Sequence, residues 1–274
     1  MDGIIDKLKV SQSTPEKPVT HTLMNGGKLH IPKDKLSAFY KRILTYGIEQ
    51  GENILVVEKM GEIHPLVVDI DIKYIETITE RQYTKETLYL ICAFLRSSIG
   101  EYLDLSDAST FGEIWIMEKE TPYPCVTNKT YQSKDGIHIA FPKVLLKKDV
   151  YKKMILDIKQ RGEIERIFEQ TCEIKHSNSE DSLFDGCFTS WQPYGCSKKD
   201  ETHYKLTQVY TIDNDNPVLL DEESFREYYG NNLDIANALS MSYRESETVT
   251  YCPKLDALLE GKRLKQVGST NSMN

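Results

Sequence analysis

The sequence predicts a mixed α/β or α+β fold, and three observations carry that prediction. Stretches of two-residue apolar alternation are interleaved along the chain with stretches of helical spacing. Hydrophobic residues make up 39% and charged residues 28% of the 274 positions, the composition of a globular protein rather than a disordered or collagen-like one. No run approaches the ~18 consecutive apolar residues of a membrane span.

The elements follow in order. Residues 1–30 mix a short amphipathic piece with a polar Ser/Thr/Pro stretch and read as a flexible arm. Residues 33–50 show helical spacing through Leu36, Phe39, Tyr40, Ile43, Leu44 and Ile48, with Asp34 near the start and Gly51 just past the end. Residues 53–58 and 64–72 read as strands joined by a turn at Gly61. Residues 84–103 form an amphipathic helix opened by Thr84 and Thr87, and residues 112–118 and 136–142 are further strands. A helix over 148–170, with a break at Gly162, precedes a strand over 203–212 and a helix over 222–239. Residues 254–274 turn polar and read as a linker or tail, which leaves 31–253 as the folded module.

The formal net charge of −8 taken whole counts against a nucleic-acid partner. The charge is uneven, however. Residues 61–124 carry five basic and twelve acidic side chains (−7), whereas residues 125–210 carry fourteen and twelve (+2). The N-terminus lacks a basic start followed by an apolar stretch, so no secretory signal is expected. The six cysteines contain no CxxC pair and read as reduced thiols of a cytosolic protein. Cys172, His176, Cys187 and Cys196 lack the short paired hooks of structural zinc sites, and ordinary thiols are expected there.

Chemistry is concentrated in three patches. In the first, Val68, Ile70 and Ile72 alternate with Asp69, Asp71 and Lys73, so a strand would present both carboxylates on one face, ~7 Å apart. Asp is depleted in strands and like charges repel, so a divalent cation is the expected compensation; a solvated edge-strand face is the plain alternative. In the second, His138 shares its face with Gly136 and Ala140, which leaves room for a ligand to approach, a structural histidine being the alternative. In the third, Asp185 precedes Gly186, also readable as a turn acid. Beyond it Tyr194, Gly195, Ser197, Lys198 and Lys199 make a loop able to hold phosphate oxygens, without the GxxxxGK[ST] pattern of a P-loop. Three carboxylates, a histidine and at least three lysines, Lys134 among them, suit phosphoryl or nucleotidyl transfer. In such chemistry two cations held by acids activate a 3′-hydroxyl and stabilise leaving pyrophosphate.

The ordered set of DxD at Asp69–Asp71, GxH at Gly136–His138, a lone Asp185 and a YGxSK loop at Tyr194–Lys198 resembles the archaeo-eukaryotic primase superfamily. It looks most like the primase module of primase–helicase proteins of nucleocytoplasmic large DNA viruses, over roughly residues 60–210, with a weaker likeness from Leu233 to Cys252. The resemblance implies an α+β catalytic core in residues 31–253, with a small N-terminal α/β unit packed beside an RNA-recognition-like antiparallel or mixed sheet. It implies that Asp69, Asp71 and Asp185 bind Mg²⁺ or Mn²⁺ in a two-metal site, and that Lys134, His138 and Lys198, helped by Lys199 and Lys73, contact nucleotide phosphates. The implied activity is template-directed synthesis of short primers on single-stranded DNA from nucleoside triphosphates in viral DNA replication. The implied place is the host cytoplasm or a viral replication site, with no membrane partner and with a helicase domain C-terminal to this chain. Two departures stand out: Gly136 occupies a position where serine is common, and residues 188–194 hold no arginine. Trp191 and Tyr194 are candidates to stack on template bases, with core packing the alternative for Trp191.

Two other functions compete. A metal-dependent nuclease would use Asp71-x-Lys73 with Glu58, leaving Lys134, His138, Asp185 and the Lys198 loop without roles. An inactive single-strand-binding replication module is the non-enzymatic alternative, against which the three acids count. A polymerase-β-like arrangement is disfavoured, because Gly61 opens a turn too close to Asp69 to begin the required helix.

Overall fold

Two antiparallel sheets organise the chain. The computed structural model describes residues 2–103, 112–126, 130–174, 176–214 and 216–242. The expected tail, Cys252 and the likeness beyond residue 242 lie outside them. In spatial order the first sheet holds β1 (Lys9–Val10), β3 (Lys28–Leu29), β2 (His21–Leu23), β4 (Val56–Lys59) and β10 (Ser190–Trp191). The second runs β12 (Asn216–Leu219), β11 (Lys205–Asp213), β6 (Glu113–Glu118), β8 (Ser133–Lys147), β5 (Ile63–Tyr74) and β9 (Phe184–Asp185), with β7 (Tyr123–Pro124) also paired to β8. The helices are α1 (Asp2–Leu8), α2 (Lys33–Leu44), α3 (Lys85–Gly100), α4 (Lys148–Gln160), α5 (Glu163–Thr171), α6 (Glu180–Leu183), α7 (Glu222–Tyr229) and α8 (Asn232–Ala238). The class is α+β.

Local sequence explains most boundaries. Thr84 caps α3 in a reciprocal box with Thr87, and Leu88, Ile91, Cys92, Leu95 and Ile99 form its buried stripe. Gly162, at φ +63°, separates α4 from α5, as its position predicts. The helix expected over 222–239 is divided at Gly230, and Asn231 starts α8 by accepting from the Leu233 amide. The helix expected over 33–50 ends at Leu44 and continues as a π-helical turn, Thr45–Glu49. Residues 2–30, expected as a flexible arm, supply α1 and three strands of the first sheet, with His21 and Leu29 fully buried. Those strands are two or three residues long, too short for a periodic pattern to register.

Among the described residues the chain passes between the sheets at three points that frame the site, the third being residues 192–204 between β10 and β11. β4 leads through Gly61 into β5, and β9 leads through Gly186 into β10. The two strands, joined at Gly61 as expected, belong to different sheets. Along β5, Val68, Ile70 and Ile72 are fully buried while Asp69, Asp71 and Lys73 are not, the predicted alternation. α4 packs on this strand and fixes it, the Tyr151 hydroxyl donating to the Val67 carbonyl at 2.6 Å. Among the described residues no helix is long and apolar enough to cross a membrane.

Candidate active site

β5 is the spine of the site. Its register sets Asp69 opposite His138 of β8 on one side and opposite Asp185 of β9 on the other. One row across three neighbouring strands thus carries an imidazole and two carboxylates. The next rungs on the same face pair Asp71 with Gly136 and Lys73 with Lys134. Residues separated by more than a hundred positions are brought together by strand pairing alone.

The electrostatics of this row are unfavourable in isolation. The Asp69 side chain keeps 29% of its surface, yet its Oδ1 is shut off from water and has no hydrogen-bond partner. His138 Nε2 approaches that oxygen only to 3.5 Å. Burial first, and then the charges of Asp71 and Asp185, push the Asp69 carboxyl up to about 7 against the pull of Lys198 and Lys134. Asp71 turns toward Lys73, with Oδ2 3.3 Å from Nζ, and Asp185 is exposed. Among the described residues no three His, Cys, Asp or Glu side chains stand close enough to hold an ion. The donor chemistry still fits a hard divalent cation: carboxylate oxygens on adjacent strands, one buried and unpartnered. Rotation of the Asp71 and Asp185 side chains, neither of them buried, is what closure of the set requires.

His138 is held by rings. Tyr204 stacks on it with centroids 3.6 Å apart and planes 17° apart, and Trp191 lies 4.3 Å away. Burial, reinforced by Lys119 and Lys198, keeps its pKa well below the ordinary value, so the ring is neutral at pH 7. The room expected beside His138 is already filled. A Cβ on Gly136 would lie 2.2 Å from the Tyr204 hydroxyl, so the glycine admits a tyrosine ring rather than a ligand. Base stacking by Trp191 and Tyr194 is likewise corrected, since both are buried: Trp191 backs His138, and the Tyr194 hydroxyl accepts from the Leu206 amide.

The lysines arrive from three elements. Lys134 opens β8 and is buried, its Nζ 3.2 Å from Glu201 Oε1. Lys198 is exposed on the turn after Ser197, and its charge acts on both Asp69 and His138; Lys199 is exposed beside it. Asn53 braces this turn by donating to Ser197 Oγ at 2.8 Å and to the Glu201 carbonyl at 2.9 Å, and it accepts from the Asp200 amide. Behind the turn, Gly195 sits at φ +86° and its carbonyl approaches Gly47 so closely that a Cβ there would fall 2.1 Å away. Lys119, Tyr123, Glu201 and Tyr204 also belong to this site and were missed in the sequence. They lie in stretches without a strong periodic or motif signal, and only the pairing of β6, β7 and β11 gathers them.

Two sequence candidates fall elsewhere. Glu58 is fully buried in the first sheet, and its carboxylate accepts from Ser240 Oγ, from the Met241 and Ser242 amides and from Ser242 Oγ. That carboxylate ties residues 240–242 to the first sheet, which removes the third ligand of a nuclease. Cys172, Cys187 and Cys196 are free thiols, and burial pushes all three thiols up. A cavity of about 430 Å³ lined by Pro18, His30, Lys33, Lys59 and Met60 contains none of the site residues.

Known proteins resemble this chain in the same region. The family described as the C962R protein N-terminal AEP domain, an archaeo-eukaryotic primase domain, matches residues 20–210. Two viral proteins whose names begin "Putative helicase" are related. L207/L206 of Acanthamoeba polyphaga mimivirus is 30% identical over 192 residues, 68% of this chain. 184R of Invertebrate iridescent virus 6 is 24% identical over 216 residues, 72% of this chain. The chain spans only 19% and 22% of the lengths of these curated relatives.

Proposed function

The chain belongs to the archaeo-eukaryotic primase superfamily, in the family of C962R-type N-terminal domains, and on that premise we propose that it is the primer-synthesising module of a longer viral replication protein. The observation that carries this reading is the row of His138, Asp69 and Asp185 across three paired strands, with Asp69 Oδ1 buried and unpartnered. Asp69, Asp71 and Asp185 would hold two Mg²⁺ or Mn²⁺ ions. Such ions, when bound, make a 3′-hydroxyl a better nucleophile and stabilise charge on the leaving pyrophosphate. Lys134 and Lys198 neutralise the incoming triphosphate, Lys199 extends that positive edge, and Lys73 joins it once Asp71 turns from it. His138, neutral and fixed by Tyr204 and Trp191, offers a phosphate oxygen an uncharged N–H donor. The residues position and neutralise rather than react, which is what nucleotidyl transfer asks of a protein.

In this reading the second sheet is the RNA-recognition-like platform and the first sheet with α2 is the small N-terminal unit. The catalytic module, expected over residues 31–253, also takes in residues 2–30, whose strands complete the first sheet, and the single-stranded template lies between the two parts. The helicase names of relatives roughly three to four times as long, together with the match to a family of N-terminal domains, support a helicase domain C-terminal to this chain. The place of action is the host cytoplasm or a viral replication site. Incubation with single-stranded DNA, Mn²⁺ and labelled nucleotides should yield short oligonucleotides without a primer, and Asp69→Ala with Asp71→Ala should abolish them. No product from the wild type, or unchanged product from the double variant, refutes the reading. Shortened template in place of new product would identify a nuclease.

A further inference from the structure

Two buried ammonium groups share one carboxylate beside the acid row. Lys119, just past the end of β6, is 2% exposed, and its Nζ donates to Glu201 Oε2. Lys134, near the start of β8, reaches the other oxygen, Oε1. Both Nζ atoms sit over the same Tyr123 ring, 3.8 and 4.7 Å from its centroid. Two cations and one anion leave an enclosed surplus of positive charge. Burial without full neutralisation is costly for lysine, and an anionic ligand would remove that cost.

The position of Lys119 is fixed from behind. The Arg81 guanidinium donates to the Lys119 carbonyl and to Asp135 Oδ2 and pairs with Glu118, so one side chain ties together the strand ends that carry the two lysines. Lys119 also faces the site. It stands 5.2 Å from the centroid of Tyr204, the ring stacked on His138. Its charge and that of Lys198 act on His138, while those of Lys134 and Lys198 act on Asp69. The charges of all three lysines are therefore felt along the row of His138 and Asp69.

We propose that Lys119 is a further phosphate-binding lysine of the nucleotide site, held with Lys134 by the positioning residue Glu201 and by Tyr123, and that the triphosphate of the incoming nucleotide is the anion that balances the pair. The inference rests on the primase reading and names a residue within it. Equilibrium binding of ATP, AMP and adenosine with Mn²⁺ tests it on the whole chain. Lys119→Met should weaken ATP binding at least tenfold, weaken AMP less and leave adenosine unchanged, with the nucleotide KM rising more than kcat falls. Lys119→Arg should stay within about threefold of the wild type. If the methionine variant does not fold, Lys119→Gln, which keeps a polar end beside Glu201, takes its place.

Unchanged ATP binding by a folded Lys119 variant, or an equal loss for ATP and adenosine, overturns the proposal. A loss confined to single-stranded oligonucleotide binding would assign the pair to template phosphates and overturn it as well. A wild-type chain that binds ATP and makes primers while the variant is unaffected refutes this inference alone. A wild-type chain that binds no nucleotide refutes the primase reading with it.

Discussion

Asp69→Asn should make the metal-free protein more stable at pH 8 and nearly indifferent to the change at pH 4. An ordinary aspartate ionises near 3.8, whereas Asp69 keeps its proton to about 7 because burial and Asp71 oppose the charge. For a carboxyl raised in the folded state, the cost is absent below the unfolded value, grows as pH rises from about 4 to 7, and is fully present above 7. At ~1.36 kcal/mol per pH unit the limit is about 4 kcal/mol, and the remaining exposure of the side chain trims the expectation to roughly 2–4 kcal/mol. At pH 4 the same reasoning leaves less than about 1 kcal/mol. Asparagine is nearly isosteric, so packing is conserved and the charge alone is removed. Urea melts in EDTA at the two pH values measure the difference. Added Mn²⁺ should then raise the stability of the wild type and do far less for the variant. A variant equally or less stable than the wild type at pH 8 would refute the reasoning, because it would mean that contacts within the protein already compensate Asp69.

Other outcomes follow from packing. Gly136→Ala should destabilise by about 1–3 kcal/mol, because the new methyl meets a Tyr204 ring that its stack on His138 keeps from moving; adding Tyr204→Phe should recover part of the loss in a thermal melt. Glu58→Ala should cost roughly 2–4 kcal/mol, since it leaves the amides of Met241 and Ser242 without their acceptor; denaturant unfolding reads it, and a loss below about 0.5 kcal/mol would show that water replaces the carboxylate. Asn53→Ala should lower stability by about 1–2 kcal/mol and weaken ATP binding, since it releases the turn that carries Lys198; ATP titration beside a melt separates the two effects.

The chemistry-bearing strand was legible because a period-two pattern gives both an element and its faces. Asp69, Asp71 and Lys73 lie on the partly open face while Val68, Ile70 and Ile72 face the core. That His138 and Asp185 flank Asp69 is a statement about register, and register across 69 and 116 residues is not written in any of the three strands. The reading of Gly136 failed for a related reason. A small residue marks close approach by something, and the sequence alone could not say that the visitor is Tyr204, some seventy positions away. Lys119 and Glu201 escaped notice because isolated charges outside a motif look like surface. Only after β6 pairs with β8 and β11 does Lys119 become buried and meet Glu201. The π-helical turn Thr45–Glu49 was invisible too, since the close approach of the Gly195 carbonyl to Gly47 comes from a distant part of the chain.

The distribution of ion pairs determines the order in which ligands should bind. Without a metal, Lys73 is occupied by Asp71, and Lys119 and Lys134 share the single carboxylate of Glu201, so the site offers a triphosphate only Lys198 and the one surplus charge of that pair. The acids meanwhile present a negative row, with Asp69 Oδ1 unpartnered. A divalent ion at the acids changes both sides of this balance: it cancels the repulsion and draws Asp71 from Lys73, freeing that ammonium for phosphate. Nucleotide should therefore bind after metal, and ATP affinity in Mn²⁺ should exceed that in EDTA by at least about tenfold, the worth of one charge-assisted contact. Asp71→Asn, which frees Lys73 without any metal, should narrow the gap by strengthening binding in EDTA. The acidic chain as a whole repels DNA, so metal-free binding to a single strand should be modest and should weaken further as salt rises. ATP binding equally tight with and without metal would refute this ordering, for it would mean that the lysines are already free to meet phosphate while the acids stand uncompensated beside them.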